Sequence, residues 1–171
     1  INDPLPIVQW MVRALETNGK CVLFTSTSKA IRVSLTAQEH GLDLTGAILS
    51  AGGEPSTDAK IKIIEDSGAK HVTTYSSVEC GAIGIACNNP HITNDMHFIS
   101  NQLALIQRPV EVLDQTVDAI CLTSLLPVAP KMLLNAQTDD FGVVETRDCG
   151  CPLYQLGLHQ HIHGIRSYRK L

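Results

Sequence analysis

The sequence lacks any apolar run of about 18 residues or more, so no membrane-spanning helix is expected. It lacks a Lys/Arg run. The densest basic patch, Arg166 to Lys170, is short, and with a net charge of −4 and a pI near 5.9 there is no electrostatic footprint for nucleic acid. No Gly-x-Gly-x-x-Gly follows a strand-like segment, which argues against a Rossmann-type dinucleotide enzyme. The opening Ile1-Asn2-Asp3-Pro4 is neither a signal peptide nor a Met start. There is no internal repeat and no low-complexity segment. What is present is a 44% apolar, 18% charged chain of 171 residues, a globular balance with enough length for one real core.

The first half alternates between two periodicities. Residues 7–18 have helical apolar spacing and stop at Asn18-Gly19. Lys20 to Thr25 reads as a buried strand, Lys29 to Glu39 as a helix closed by Gly41, and Gly46 to Ser50 as a strand. A helix over about Thr57 to Ser67 follows, with Ser56 or Thr57 as its cap and Asp58 in its first turn. His71 to Tyr75 is the next strand. This order predicts an α/β fold with a parallel βαβαβ half. After Cys87 no convincing long helix is found. Met96 to Arg108, Val117 to Leu126, Met132 to Asn135, Val143 to Thr146 and His159 to Ser167 read as strands. Pro109, Pro127, Pro130 and an Asp139-Asp140-Phe141-Gly142 turn separate them. The second half is therefore expected to be a mixed or antiparallel β-rich region. We expect two subdomains, 1–87 and 88–171, both parts of one larger domain.

Six cysteines need an account. Cys21 and Cys121 lie in strand-like runs and read as small buried hydrophobes. Cys80, Cys87, Cys149 and Cys151 lie in loops, in a chain too long for a small secreted disulfide framework, so cytoplasmic thiols are expected. Cys87-x-x-x-His91 and Cys149-Gly150-Cys151 supply three thiolates and one imidazole, the ligand set of a closed tetrahedral zinc site. Free thiols are the competing reading, and Cys80 and His97 are the substitute ligands. His159, His161 and His163 alternate on one strand face, which reads as a half-exposed polar face. Asp95 and His97 invite an acid–base reading, but nothing places a substrate beside them.

Two stretches carry the functional argument. Thr25-Ser26-Thr27-Ser28-Lys29 has the hydroxyls and Lys of a phosphate loop but no glycine to bring backbone N–H groups to an anion. A helix start capped by Ser or Thr is the plain account. Ala51-Gly52-Gly53-Glu54-Pro55 differs: its paired glycines follow a strand and permit close approach of a flat ligand. Tyr75-Ser76-Ser77-Val78-Glu79 ends the next strand, and the Glu79 carboxylate suits Mg²⁺. Both stretches fall at the carboxyl ends of neighbouring strands, where open α/β sheets bind ligands. A strand-to-helix turn and a capping Glu are their structural alternatives.

Ala51-Gly-Gly-Glu-Pro55, Tyr75-x-x-x-Glu79, Thr146-Arg147-Asp148 and Ile165-Arg166-Ser167, in this order, resemble the adenylate-forming superfamily. The nearest branch holds phenylacetate–CoA ligase and its acyl-protein-synthetase-like relatives, and the resemblance runs from about residue 20 to the last. It implies an ATP-dependent ligase that converts a small carboxylic acid to an acyl-adenylate and passes the acyl group to a thiol of coenzyme A or a carrier protein. By matched position, Gly52, Gly53, Glu54 and Pro55 would line the adenine pocket. Tyr75 and Ser76 would flank adenine and the acyl site, Glu79 would bind Mg²⁺, Asp148 would hold the ribose hydroxyls, and Arg166 would sit near ribose and phosphate. Cys and His occur at similar places in several members of the branch, which supports the zinc reading. Ser76 and Ile165 stand where the family has Gly, and Tyr168-Arg169 where it has an acidic pair. The family's Gly-rich phosphate loop and its lid domain with a catalytic Lys are absent. The expectation is a fragment, inactive by itself, with self-association through exposed apolar surface as an open prospect. A non-catalytic, zinc-stabilised α/β module with a vestigial pocket is the alternative.

Overall fold

The computed structural model describes residues 3–129 and 131–170. Pro130, expected as a strand separator, lies outside them. The chain divides into two compact units, Ile1–Thr73 and Thr74–Leu171.

The first unit follows the alternation of its sequence. Helix α1 (Leu5–Asn18) starts behind Pro4, which lacks the N–H a first turn cannot use, and ends at Gly19 with φ 70°. Strands β1 (Cys21–Ser26) and β2 (Ala47–Gly52) run parallel, in register from Cys21 opposite Ala47 to Ser26 opposite Gly52. Helix α2 (Thr27–Glu39) connects them. Helix α3 (Asp58–Glu65) is capped by the Thr57 hydroxyl, which accepts from the Lys60 amide at 3.4 Å. Strand β3 (Lys70–Ser77) lies parallel to β2, with Ile48 opposite Lys70 and Ala51 opposite Thr73. Val8, Met11, Val33, Leu44, Leu49 and Ile64 close the core. Cys21 is buried here, as expected of an apolar thiol. Ser26 holds the cap position of α2 but makes no side-chain capping bond. The hydroxyl-rich stretch therefore does not cap α2 as the sequence suggested; its Thr27 turns inward to another segment instead.

In the second unit, the latter part of β3 pairs antiparallel with β4 (Gly81–Ala86). Strands β5 (Met96–Phe98), β6 (Leu103–Val112), β7 (Gln115–Ser124), β8 (Ala136–Thr146) and β9 (Gln160–Ser167) complete an all-antiparallel ladder in the order β3-β4-β5-β9-β8-β7-β6. The only α-helix described beyond Cys87 is the four-residue α4, Pro152–Gln155. Ile83, Phe98, Ile120, Leu122 and Ile162 form the core, and Cys121 on β7 is buried as well. The α/β class, parallel first and antiparallel after, is the observed one.

Five local readings change. Pro109, expected to separate strands, lies inside β6 opposite Asp118. Strand β4 carried no clear alternation and was not anticipated. The Met96–Arg108 segment splits into β5 and β6, because Gln102 N donates to Ile99 O at 3.1 Å and turns the chain. Met132–Asn135 is not a strand; Asn135 has φ 47°, outside the extended region. Asp139–Gly142 is not a turn but lies inside β8, where Asp140 pairs with Ser167 and Phe141 with Arg166. A register shift between Phe141 and Val143 explains its turn-like composition. At Gly142 a Cβ would lie 2.9 Å from the His163 carbonyl oxygen, a backbone atom, so glycine suits this irregularity.

Candidate functional site

In the first unit, residues 52–56 are fastened to the start of α2. Gly52 ends β2, and Gly53 adopts φ 73°, the left-handed region that turns the chain. Thr27 Oγ1 donates to the Glu54 carbonyl at 3.1 Å and lies 3.2 Å from Ser56 Oγ. Ser56 Oγ in turn lies 3.1 Å from His71 Nε2 on β3. The Ser28 hydroxyl donates to the Glu54 carboxylate, and this bond is the main reason the Glu54 pKa falls below its ordinary value. Burial lowers the pKa of His71. Lys60 Nζ donates to the Pro55 carbonyl at 3.0 Å. A loop that follows a parallel strand and is pinned at Glu54, Pro55 and Ser56 is a preformed edge, with Gly53 exposed at its turn.

Five further candidates belong to the second unit. Tyr75 lies on β3, and its hydroxyl donates to Asp140 Oδ2 at 2.8 Å. Burial, reinforced by the Asp140 charge, pushes its phenol well above the ordinary range. Ser76 and Glu79 are exposed, Glu79 in the turn before β4. Bonds from the Glu79 amide and the Ser77 hydroxyl hold the Glu79 carboxyl low. Asp148 is exposed, with Oδ1 accepting from the Gly150 amide at 2.9 Å. Arg166 is exposed on β9. Apart from the bonded Tyr75, these are polar side chains that reach solvent.

A third group sits deeper in this unit. The ligand atoms of Cys87, His97, Cys149 and His161 all lie within 4.8 Å of one another. Antiparallel pairing of β5 with β9 puts His97 opposite His161. Their ring centroids are 4.2 Å apart. Cys151 is adjacent, its Sγ 3.1 Å from His97 Nε2. Burial pushes the Cys87 thiol up to about 12. Burial also opposes ionisation of Cys151, but the Tyr154, Leu153 and Asn88 amides and the Cys149 thiol bring it down to about 6.

Of the residues that the sequence grouped as metal ligands, Cys87 and Cys149 converge, and Cys151 is buried beside them. His91 is exposed, and its backbone amide donates to Asp95 Oδ2 at 3.0 Å. His97, the substitute ligand, occupies the cluster. The three alternating histidines do not share a half-exposed face. His159 precedes β9 and is exposed, His163 is partly covered, and His161 is fully buried, against His97 and Asp95. Asp95, which the sequence paired with His97 as an acid–base candidate, instead partners the interior His161, its Oδ1 2.7 Å from His161 Nδ1.

No protein-family model matches the sequence, and no curated protein matches it. Solved structures do match in fold. An open conformation of 2-hydroxyisobutyryl-CoA ligase, in complex with 2-HIB-AMP and CoA, superposes with a TM-score of 0.71 at 18% identity, over 93% of this chain and 37% of that one. The same ligase in its postadenylation state with R3-HIB-AMP gives 0.71 and 18%, over 93% of this chain and 34% of that one. The chain has the fold of part of an adenylate-forming ligase. It spans about a third of the length of these neighbours. Among the described residues, no helix is long and apolar enough to cross a membrane.

Proposed function

We propose that the chain is part of an ATP-dependent, AMP-forming ligase that activates a small carboxylic acid and hands the acyl group to a thiol. The observation that carries this reading is the likeness in fold, over 93% of the chain, to a CoA ligase captured with acyl-AMP and CoA. The position of Gly52–Pro55 at the carboxyl end of a parallel strand supports it, since ligands of α/β sheets bind there.

The residue roles follow from chemistry. Gly52 and Gly53 present backbone without side chains, so a purine can lie against the turn, with Glu54 and Pro55 forming its edge. Tyr75 is held by Asp140 in one orientation, which suits an aromatic wall for adenine, and Ser76 stands beside it. Asp148 accepts hydrogen bonds and would take both ribose hydroxyls, and Arg166 would offer a planar donor fork to ribose and phosphate oxygens. The depressed pKa of Glu79 keeps it a carboxylate, an oxygen ligand for the Mg²⁺ that accompanies ATP. Attack of the substrate carboxylate on the α-phosphate forms the acyl-adenylate and releases pyrophosphate; attack of a thiolate on the acyl carbon then releases AMP. Coenzyme A or a carrier protein is the acceptor class we infer.

We infer that these 171 residues do not complete the reaction alone. No glycine-rich loop for the triphosphate occurs in them. The decisive experiment is titration of AMP into this chain, beside carboxylate-dependent ATP–pyrophosphate exchange by the whole protein. AMP binding weakened by Asp148→Asn and Arg166→Ala is expected, with exchange in the whole protein only. Absence of both would sink the reading.

One set of contacts favours a second reading, a metal-stabilised module without catalysis. Glu54, Tyr75 and Asp148 each spend a polar atom on the protein itself. AMP binding separates the two readings, since the module would show none.

A further inference from the structure

Two histidines in the second unit are held by the same ring atom. His97 Nδ1 lies 2.7 Å from the Leu158 carbonyl oxygen. A carbonyl only accepts, so Nδ1 carries the proton and donates. His161 Nδ1 lies 2.7 Å from Asp95 Oδ1, again an acceptor. Arg147 Nη2 also approaches this nitrogen, at 3.1 Å, while donating to the other oxygen of Asp95. A neutral imidazole that donates from Nδ1 has a bare lone pair on Nε2.

Both lone pairs are aimed into the thiol cluster. His97 Nε2 lies 3.1 Å from Cys151 Sγ and 3.6 Å from Cys149 Sγ. His161 Nε2 is fully buried and has no hydrogen-bond partner among the described residues. Burying an acceptor unpaired costs about 1–3 kcal/mol. The Asp95–His161 pair fixes the ring so that this nitrogen stays exposed to the cluster, which makes sense if something binds it.

We propose that Cys87, His97, Cys149 and His161 form a closed, four-coordinate metal centre that takes zinc. Their ligand atoms already lie within 4.8 Å of one another. Tetrahedral zinc, with bonds of about 2.0–2.3 Å, draws such atoms to within about 4 Å. Thiolate and imidazole donors suit zinc and not Mg²⁺ or Ca²⁺, which take oxygen. With four protein ligands no coordination position is left for a substrate, so the centre is structural. Asp95 acts one shell out. It is itself buried, paired with Arg147, and it fixes the tautomer and orientation of His161, while the Leu158 carbonyl does the same for His97. The Cys149 side of the site is shaped by Gly150 at φ 65° and by the Asp148 carboxylate on the Gly150 amide. His91 and Cys151 are not ligands. Cys151 Sγ lies beside the set, 3.1 Å from His97 Nε2, but is not among the four ligand atoms that all fall within 4.8 Å of one another.

The test needs no substrate and does not depend on the ligase reading. Elemental analysis of the purified, dialysed chain is expected to give about one zinc per molecule. X-ray absorption at the zinc edge is expected to show two sulfur and two imidazole neighbours. Three sulfurs and one imidazole would overturn the assignment in favour of Cys151. His161→Gln and His97→Gln are each expected to lose zinc, and His91→Ala and Cys151→Ser to keep it. Zinc lost from Cys151→Ser but kept by His161→Gln would also overturn it. If His161→Gln fails to fold, the absorption spectrum of the unaltered chain decides the ligand count. A chain free of zinc, nickel and cobalt after purification, whose titrated thiols remain free when zinc is added, would remove the centre.

Discussion

The Tyr75 hydroxyl on β3 donates to Asp140 Oδ2 on β8 at 2.8 Å, although the two residues are 65 positions apart. The bond fastens the first strand of the antiparallel ladder to a strand several places away, and it fixes the ring proposed to face adenine. Tyr75→Phe removes the donor and leaves the carboxylate with less support. We expect a loss of about 1–3 kcal/mol, read from the urea unfolding midpoint. An unchanged midpoint would mean that solvent replaces the bond without cost.

His71 makes the first unit sensitive to acid. Burial lowers its pKa below the ordinary 6.5. Between the folded and unfolded values the unfolded chain binds the extra proton more readily. The contribution is therefore fully present above 6.5 and is lost as pH falls through the folded value. Denaturation monitored at Trp10 on α1 is expected to show stability falling with acidification below 6.5, and falling less in His71→Gln. Equal slopes in the two proteins would place the acid sensitivity elsewhere.

Gly68 and Gly53 both have positive φ, 87° and 73°, yet they should differ on substitution. A Cβ at Gly68 would sit 2.5 Å from Asp43 Oδ1 and 2.8 Å from Thr45 N, whereas one at Gly53 meets nothing within 4 Å. Gly53→Ala is expected to cost about 1 kcal/mol, from backbone strain alone. Gly68→Ala adds steric conflict with the backbone and should cost several times as much in the same melt, on the order of 3 kcal/mol.

Asp148 joins the two proposals. It lies between Arg147, which is paired with Asp95, and Cys149, a proposed zinc ligand. Removing the metal by chelation is expected to loosen this turn and weaken AMP binding about tenfold, or ~1.4 kcal/mol, by calorimetry on the whole protein. Unchanged affinity after complete metal loss would show that the turn holds its shape without it.

Most of the fold was readable where local pattern and tertiary outcome agree. The βαβαβ half announced itself through alternating apolar runs and glycine stops, and those elements appear within a few residues of their expected bounds. Misreadings cluster where long-range pairing decides. Asp139–Gly142 has turn composition but is held in β8 by its bonds to β9, and β4 is too rich in glycine and alanine to show a face. The motifs proposed to bind a nucleotide are short runs whose order and spacing can be read from the sequence. Three of the four members of the Cys/His cluster were legible, His97 as the substitute ligand. Cys87 and Cys149 could be guessed from thiol spacing. His161 could not, because only strand pairing brings it opposite His97 and only the fold supplies Asp95 to hold it.

Strand β5 is three residues long, yet it pairs directly with β9, and Asp95 meets His161 across 66 positions. Everything from β6 to β8 is thus a long excursion whose two ends must find each other. Closing such a loop costs entropy before any contact repays it, which makes this the slow step expected in folding of the second unit. An ion gripping Cys87 and His97 on one side and Cys149 and His161 on the other would act as a clasp on that excursion. Refolding in the presence of zinc should then be faster, or its product longer lived, than refolding with a chelator.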